Sequence, residues 1–497
     1  MYQISGFRLR RQHDRGMTVP GSRCNTKILR PERCEVFDGK PCAACTEDIE
    51  LEKEIGELER SIEKLQSKRR ALRTVMNENH DHLLHKFPPE IISLIFIRYA
   101  PPSAHREKKK RSTPLRLGAV CRKWRQLAWA TPQLWSSLVV QVTDPGEDAP
   151  RLITEWLERS ASLPLTIRYD HSYVEQAEVT NILNKHSAWW YDMYLDIPVY
   201  HLHHLGGSSQ ENILRRLTLR HSPAILAVTR SNFSMTTKPR LTHLKLLTVS
   251  LSCVDIIWDN LTVASVYDIG VDECFELIRR APLLRTLRLH KINSSSGVYP
   301  VPNTRIVHSH LQSLELSVIK ERSVFVGILD SLCLPLLEQW LYDYCSLPLG
   351  VLETMISFIG YLPCLKIFKI NIDHFTRHQV IELLSHLSFL ESLELRTNGR
   401  SYPIKELVDL LFNATQSPLF LPHLQSLEFV CRYSFPWESL PQIFASSRGQ
   451  SLMVKVSTLS GGHDILDKTE RLLVELVDEG FNLSIGEIEE YREEWHH

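Results

Sequence analysis

The stretch Leu284-Arg285-Thr286-Leu287-Arg288-Leu289 contains the pattern Leu-x-x-Leu-x-Leu, which decides the fold of most of this chain. Successive side chains of a β-strand point to opposite faces, so Leu287 and Leu289 share one face and Arg288 lies on the other. Further copies begin at Leu214, Leu241, Leu311 and Leu390. The pattern continues with other apolar residues at its later positions in Leu337-x-x-Trp340-x-Tyr342, Leu365-x-x-Phe368-x-Ile370 and Leu424-x-x-Leu427-x-Phe429, and Trp258-x-x-Leu261-x-Val263 is a weaker copy. The pattern therefore predicts a series of short strands that each bury a leucine layer on one side.

The copies begin mostly about 25 to 28 residues apart, and amphipathic helical stretches such as 351–359 and 380–387 lie between them. This period is typical of leucine-rich repeats, whose units bury their apolar faces only by stacking on neighbours. We predict an α/β fold, an irregular leucine-rich-repeat solenoid over 150–462 with a curved parallel sheet. More degenerate units are expected at 163–169 and 189–197. The alternative is another layered α/β domain, which would need longer strands and glycine-rich turns.

Three apolar segments near the front of the chain predict a small helical module over 81–140. The first runs from Leu83 to Phe96 and contains Pro88 and Pro89, which suit the first turn of a helix because that turn does not use their missing N–H groups. The second spans 117–128 and the third 131–138, each with apolar residues at helical spacing.

In their order, these residues resemble the F-box, the module by which a protein binds the Skp-type adaptor of a cullin ubiquitin ligase. A longer connection at 101–113, which includes the basic run 108–111, departs from the usual pattern. The resemblance implies that the adaptor-binding residues are Phe87, Pro88, Ile91, Ile92, Ile95, Phe96, Leu117, Val120, Cys121, Trp124, Leu134 and Trp135. Several of them must form the core of the module. We expect Val120 and Trp124 to be buried, and Pro88 and Leu134 to make contact with the adaptor.

A heptad pattern precedes the module. Apolar residues from Leu51 to Met76 follow alternating steps of three and four, interrupted at Arg69, which predicts a coiled-coil helix over 47–80. Three interpretations of this helix remain open. It could pair with a second copy of itself, pack on the F-box-like module, or be a single helix whose apolar stripe rests on its own molecule. Residues 1–46 are interpreted as a disordered basic tail, and 463–497 as an acidic C-terminal cap or tail.

Composition excludes several classes of protein. The formal net charge is zero, which does not favour nucleic acid, and no apolar run is long enough for a membrane span. The eleven cysteines are scattered, as expected for reduced thiols in the cytoplasm or nucleus, and the basic run 108–111 could serve as a nuclear import signal. Residues 105–125 hold nine Lys or Arg and one Glu, a surface that would favour an acidic partner.

An F-box followed by leucine-rich repeats resembles the substrate receptors of Skp–cullin–F-box ubiquitin ligases, including large sets found in mushroom-forming fungi. The resemblance implies a non-catalytic subunit that binds the adaptor, and through it a cullin ligase, while the repeats hold an unknown target protein. The alternative is a leucine-rich-repeat scaffold outside any ligase, in which the helical module only braces the repeats. No catalytic motif, cofactor site or metal site is predicted.

Target contacts are expected on the strand face opposite the leucines, because rigid strand faces present side chains in fixed positions. The residues on that face are Thr218, Arg220, Arg288, His290, Glu315, Lys369, Glu394, Arg396 and Glu428.

Overall fold

A computed structural model of the chain divides into two compact units, 1–171 and 172–497. The structure describes residues 2–4, 7–8, 43–101, 113–142, 149–171, 177–221, 231–319, 321–343, 351–398, 404–415, 417, 419–432, 435–444, 451–458 and 467–487. The basic run 108–111 and most of the predicted tail 1–46 lie outside these residues.

Unit 1 is mainly helical. Its elements are β1 (Tyr2–Ile4), β2 (Phe7–Arg8), α1 (Ala43–His80), α2 (His82–Lys86), α3 (Pro89–Tyr99), α4 (Pro114–Gly118), α5 (Arg122–Trp129), a 3-10 turn (Pro132–Trp135), β3 (Ser137–Val142), α6 (Ala149–Arg159) and β4 (Leu165–His171). Strand β3 pairs in parallel with β4 and antiparallel with β1. The helix predicted over 47–80 is confirmed and begins four residues earlier. Strands β1 and β2 lie within the segment interpreted as a disordered tail, so that interpretation is wrong at these residues.

Unit 2 alternates strands with helices. Its elements are α7 (Ala177–Lys185), β5 (Trp190–Asp196), β6 (Arg216–Arg220), β7 (Phe233–Ser234), β8 (His243–Leu247), β9 (Val254–Asp255), β10 (Val263–Gly270), α8 (Val271–Arg280), β11 (Thr286–Asn293), β12 (Ile306–Val307), β13 (Ser313–Ile319), α9 (Arg322–Ser331), β14 (Leu332–Cys333), β15 (Gln339–Asp343), α10 (Leu352–Ile359), β16 (Ile367–Asn371), α11 (Arg377–Ser385), β17 (Ser392–Thr397), α12 (Ile404–Thr415), β18 (Ser426–Cys431), α13 (Leu440–Phe444), β19 (Met453–Thr458), α14 (Asp467–Asp478) and β20 (Leu483–Glu487). Short 3-10 turns at Ser187–Trp189, Val199–His204, Leu251–Cys253 and Trp437–Ser439 complete it.

Among the described residues of unit 2, twelve strands form one sheet in the order β5-β6-β8-β10-β11-β13-β15-β16-β17-β18-β19-β20. Neighbours in the sheet follow each other along the chain and, in the registers described, run parallel, as from Leu287 beside Leu314 to Leu427 beside Val454. The predicted mixed α/β class is confirmed. Strand β20 pairs with β19, so the sheet continues past residue 462 into the segment interpreted as a cap or tail.

The leucines of the repeat form the core of this sheet. Leu217, Leu244, Leu287, Leu314 and the equivalent residues of later strands are buried, whereas Leu424 is half-buried. Each fully buried leucine stabilises the fold by roughly 1.5–3 kcal/mol relative to an exposed one.

The weaker copy was placed in the wrong frame. Trp258 and Val263 are only half-buried, and the buried set is Leu261, Ala264 and Val266. Ala264 pairs with Leu244 on one side and with Leu287 on the other. The copy of the pattern therefore begins at Leu261, three residues after the predicted start at Trp258. An alanine occupies a leucine position here, so the leucine pattern alone misidentified this strand.

Candidate functional site

The outer face of helix α3 forms an apolar surface in unit 1. Ile91, Leu94, Ile95 and Tyr99 recur at steps of three and four along the helix, so they share one face. These residues and Phe87, which precedes the helix, are between 37% and 61% exposed. We call these five residues the α3 apolar face; Val120, which follows α4, is a separate exposed apolar residue.

The opposite face of α3 packs into the core of unit 1. Ile92 and Phe96 are buried, and the Phe96 ring lies 4.8 Å from the Trp124 ring. The indole N–H of Trp124 donates to the carboxylate of Asp81, and the other oxygen of Asp81 accepts the backbone N–H groups of Leu83 and Leu84 at 3.0 and 3.2 Å. Asp81 therefore connects the start of α2 to α5, a role that the sequence did not reveal.

The 3-10 turn Pro132–Trp135 is also part of the core. Trp135 is fully buried between the rings of Trp129 and Trp156, at 5.2 and 4.8 Å, and its indole N–H donates to the Ala128 carbonyl at 2.8 Å. The guanidinium of Arg159 stacks over the Trp129 and Trp135 rings. This cluster holds the turn against helices α5 and α6.

The predicted adaptor-binding residues therefore fall into three groups. Phe87, Pro88, Ile91, Ile95 and Val120 are exposed, and Cys121 and Trp124 are half-buried. Ile92, Phe96, Leu117, Leu134 and Trp135 are buried. The expectation that Leu134 makes contact outside the module is wrong, since only 2% of its surface is exposed. The expectation that Val120 is buried is also wrong, because it follows the short helix α4 and projects into solvent.

The strand face of unit 2 opposite the leucines carries a second candidate surface. Neighbouring strands place Arg288 beside Glu315 and Lys369 beside Glu394, and both pairs are ion pairs, at 3.3 and 2.8 Å. Arg396 binds Glu394 at 2.5 Å and reaches Asp343 two strands away at 3.3 Å. We call these six residues the charged ladder.

The two glutamates of the charged ladder differ in their electrostatics. Burial alone would raise the pKa of Glu394, but the charges and hydrogen bonds of Arg396 and Lys369 outweigh it, so the pKa lies below its ordinary value. Burial raises the pKa of Glu315, and the charges of Arg288 and Arg396 offset this effect only in part. Glu394 is thus held as a carboxylate, whereas the charged form of Glu315 is disfavoured.

The predicted target-binding residues lie on this one face, as their strand positions require. Glu394 is buried, with 5% exposed, so its interpretation as a solvent-facing contact is wrong. Arg288 is exposed, and the imidazole of His290 stacks on Tyr267 with ring centres 4.6 Å apart. The half-buried members of the set are Thr218, Arg220, His290, Glu315, Lys369, Arg396 and Glu428.

Asp272 and Glu273 form a buried acidic pair in the first turn of α8. Asp272 accepts the backbone N–H groups of Ser296, Val298 and Tyr299 at 2.7 to 3.1 Å, and Glu273 accepts that of Leu251 at 3.0 Å. Burial would raise the pKa of Asp272, but these hydrogen bonds bring it below its ordinary value. The pair anchors two loops, so we assign it a structural role.

Among the described residues, no group of three or more His, Cys, Asp or Glu is arranged to hold a metal ion. No helix in the described part of the chain combines the length and apolar character needed to cross a membrane.

Comparison with known proteins adds little to this description. The chain matches no family of protein sequences and no curated protein. One solved structure, a structural genomics target from Bacteroides fragilis, is similar over 44% of this chain and 65% of its own length, with 16% identity and a TM-score of 0.32. The match therefore spans less than two thirds of that protein.

Proposed function

We propose that this protein is a substrate-recognition subunit of a Skp–cullin–F-box-type ubiquitin ligase, acting in the cytoplasm or nucleus. The observation that carries the proposal is the α3 apolar face, whose exposed residues include Phe87, Ile91 and Ile95 of the F-box-like sequence. Exposed apolar residues clustered on one helix mark a site for a protein partner. In this proposal α3 binds the adaptor, while the tryptophan cluster only stabilises the module.

We further propose that unit 2 is a leucine-rich-repeat solenoid that holds the target protein. Support comes from its parallel strands, which follow one another in chain order, and from the buried leucine of each repeat. The subunit itself would catalyse nothing. It would raise the effective concentration of target lysines near the conjugating enzyme by holding both in one assembly.

The target surface is proposed to be the outward strand face around Arg288 and the Tyr267–His290 stack. Arg288 is exposed and keeps a guanidinium edge accessible beside Glu315. The stacked rings next to it provide flat apolar area with polar edges, a combination favoured at protein interfaces. Glu394 has no part in this surface because its carboxylate is buried between Lys369 and Arg396.

The experiment is a binding titration between the full chain and a purified Skp-type adaptor. We expect the double substitution Ile91→Asp/Ile95→Asp to weaken binding at least a hundredfold, because two carboxylates would be desolvated at the contact. Val307→Asp/Leu336→Asp is the matched control, since both residues are exposed apolar residues of unit 2. It should bind the adaptor like the unsubstituted protein.

The titration also separates the proposal from the scaffold alternative. If the unsubstituted chain does not bind the adaptor, or if both double variants bind equally well, the ligase function is excluded and the scaffold interpretation remains. Trp124→Ala is a poor probe, because Trp124 packs on Phe96 and donates to Asp81 within the core.

A further inference from the structure

Helix α1 carries a long apolar stripe that is exposed along its whole length. Within the described part of the chain, each member of the stripe is between 52% and 64% exposed. The members are Leu51, Ile55, Leu58, Ile62, Leu65, Leu72 and Met76. Leaving this many large apolar side chains in water is unfavourable, and a stripe of this kind is typical of a helix that pairs with another helix.

The residue types along the stripe fit a two-stranded coiled coil. If Leu51 is position d of the heptad, then the d positions are all leucine and the a positions include Ile55 and Ile62. Isoleucine at a with leucine at d favours two strands. Arg69 occupies the next a position, where its long side chain can extend from the seam into solvent.

The charges along α1 are divided between its two halves. Residues 47–59 contain seven acidic residues and one basic residue, whereas 60–76 contain six basic residues and one acidic residue. Two copies of this helix therefore attract each other when they run in opposite directions. In the parallel direction, each acidic half would lie beside the other acidic half.

The flanking e and g positions lead to the same orientation. In a parallel, in-register pair, Glu54 would face the partner's Glu59, and Lys68 would face the partner's Arg73, so both contacts would be repulsive. In an antiparallel pair with Leu51 opposite the partner's Met76, Glu52 would face the partner's Arg73. That arrangement also overlaps the two stripes completely, over about 39 Å at 1.5 Å per residue.

We propose that α1 is a self-association surface that pairs with α1 of a second copy of this chain as an antiparallel coiled coil. Ile62 then lies opposite the partner's Leu65 at the centre of the seam. The dimer places two α3 apolar faces in one particle. It does not depend on the proposed ligase function, since it requires neither an adaptor nor a target.

The first test is sedimentation equilibrium of the full chain at micromolar concentration, where a dimer is expected. Ile62→Asp should weaken dimerisation at least a hundredfold, because it puts a charge at the centre of the seam. Ser67→Asp introduces the same residue on the outer face of the same helix and should leave the dimer unchanged. A monomeric unsubstituted chain, or equal effects of the two substitutions, would overturn the proposal.

The second test determines the orientation by charge reversal on the solvent-exposed flank. In the antiparallel dimer, Arg73→Glu faces the partner's Glu52 and should weaken association about tenfold, and adding Glu52→Arg should restore it. In a parallel dimer, Arg73→Glu would face the partner's Lys68 and strengthen association instead. That result would contradict the antiparallel arrangement, and neither substitution touches the apolar seam.

Discussion

Asp81 shows how one polar side chain organises the helical module. One oxygen accepts the backbone N–H groups at the start of α2, as an N-cap residue does, and the other accepts the indole N–H of Trp124. Because Trp124 also packs on Phe96, the contact connects three helices through one carboxylate. Asp81 is 43 residues from Trp124 in sequence, so the cap could be suspected from the sequence but the second bond could not.

We predict that Asp81→Ala destabilises the module by about 1–3 kcal/mol, from the loss of the cap and of one part-buried hydrogen bond. Asp81→Asn keeps one side-chain oxygen for the cap but turns an NH2 donor toward the Trp124 indole N–H, so it should preserve protection at the start of α2 and lose the bond to α5. Hydrogen–deuterium exchange over 82–100 and 122–129 would report the loss of protection in both segments. Faster exchange confined to α2 would show that the bond to Trp124 contributes little.

At the scale of elements, a column of left-handed residues crosses four neighbouring strands of unit 2. Thr248, Asp268, Lys291 and Val318 all have φ between 55° and 63°. The strand registers place the last three side by side, with Asp268 and Lys291 paired at 2.5 Å. A left-handed backbone is most unfavourable for a β-branched residue, so Thr248 and Val318 are the strained members of the column.

Relieving this strain should stabilise unit 2. We predict that Val318→Asn raises the free energy of unfolding by about 1 kcal/mol, because asparagine tolerates the left-handed region far better than valine. Val307→Asn makes the same change at an exposed strand residue outside the left-handed column and should be neutral within about 0.5 kcal/mol. Thermal unfolding followed by circular dichroism would compare them. A lower melting temperature for Val318→Asn would mean that packing of the valine outweighs the strain.

At the scale of the whole molecule, the sequence predicted the repeated strands well because one residue type marks each of them. A leucine followed by large apolar residues three and five positions later identified eight strands and their buried faces, but the pattern failed at Ala264, where a small apolar residue takes the leucine position. The F-box-like module was harder, because α3 is apolar on both faces. Spacing places Ile91 and Ile92 on different faces of α3 but does not say which face is buried. Residues distant in sequence cover one face, so the sequence pattern alone could not predict that Ile92 is buried and Ile91 exposed.

The last prediction concerns how charge is distributed across the sheet of unit 2. Glu394→Gln removes the carboxylate between Lys369 and Arg396 and leaves two cations facing each other, so we expect a loss of about 1–3 kcal/mol, limited by the partial exposure of both partners. Glu315→Gln is the matched control. The pKa of Glu315 is raised, so its charge is unfavourable at neutral pH, and its removal should leave stability unchanged or raise it.

The pH dependence of stability supplies the independent check. Because the pKa of Glu394 is lowered in the folded state, its contribution is present at pH 7 and is lost as the pH falls through that pKa. The melting temperatures of the Glu394→Gln variant and the unsubstituted protein should therefore stay apart down to about pH 4.3, the ordinary pKa of glutamate, and converge only as the pH falls below it. Any gain from Glu315→Gln should vanish at higher pH, as the pH falls from above the raised pKa of Glu315 to about pH 4.3, because the protonated glutamic acid carries no charge to desolvate. A deficit in Glu394→Gln that stays constant with pH would instead assign the loss to packing.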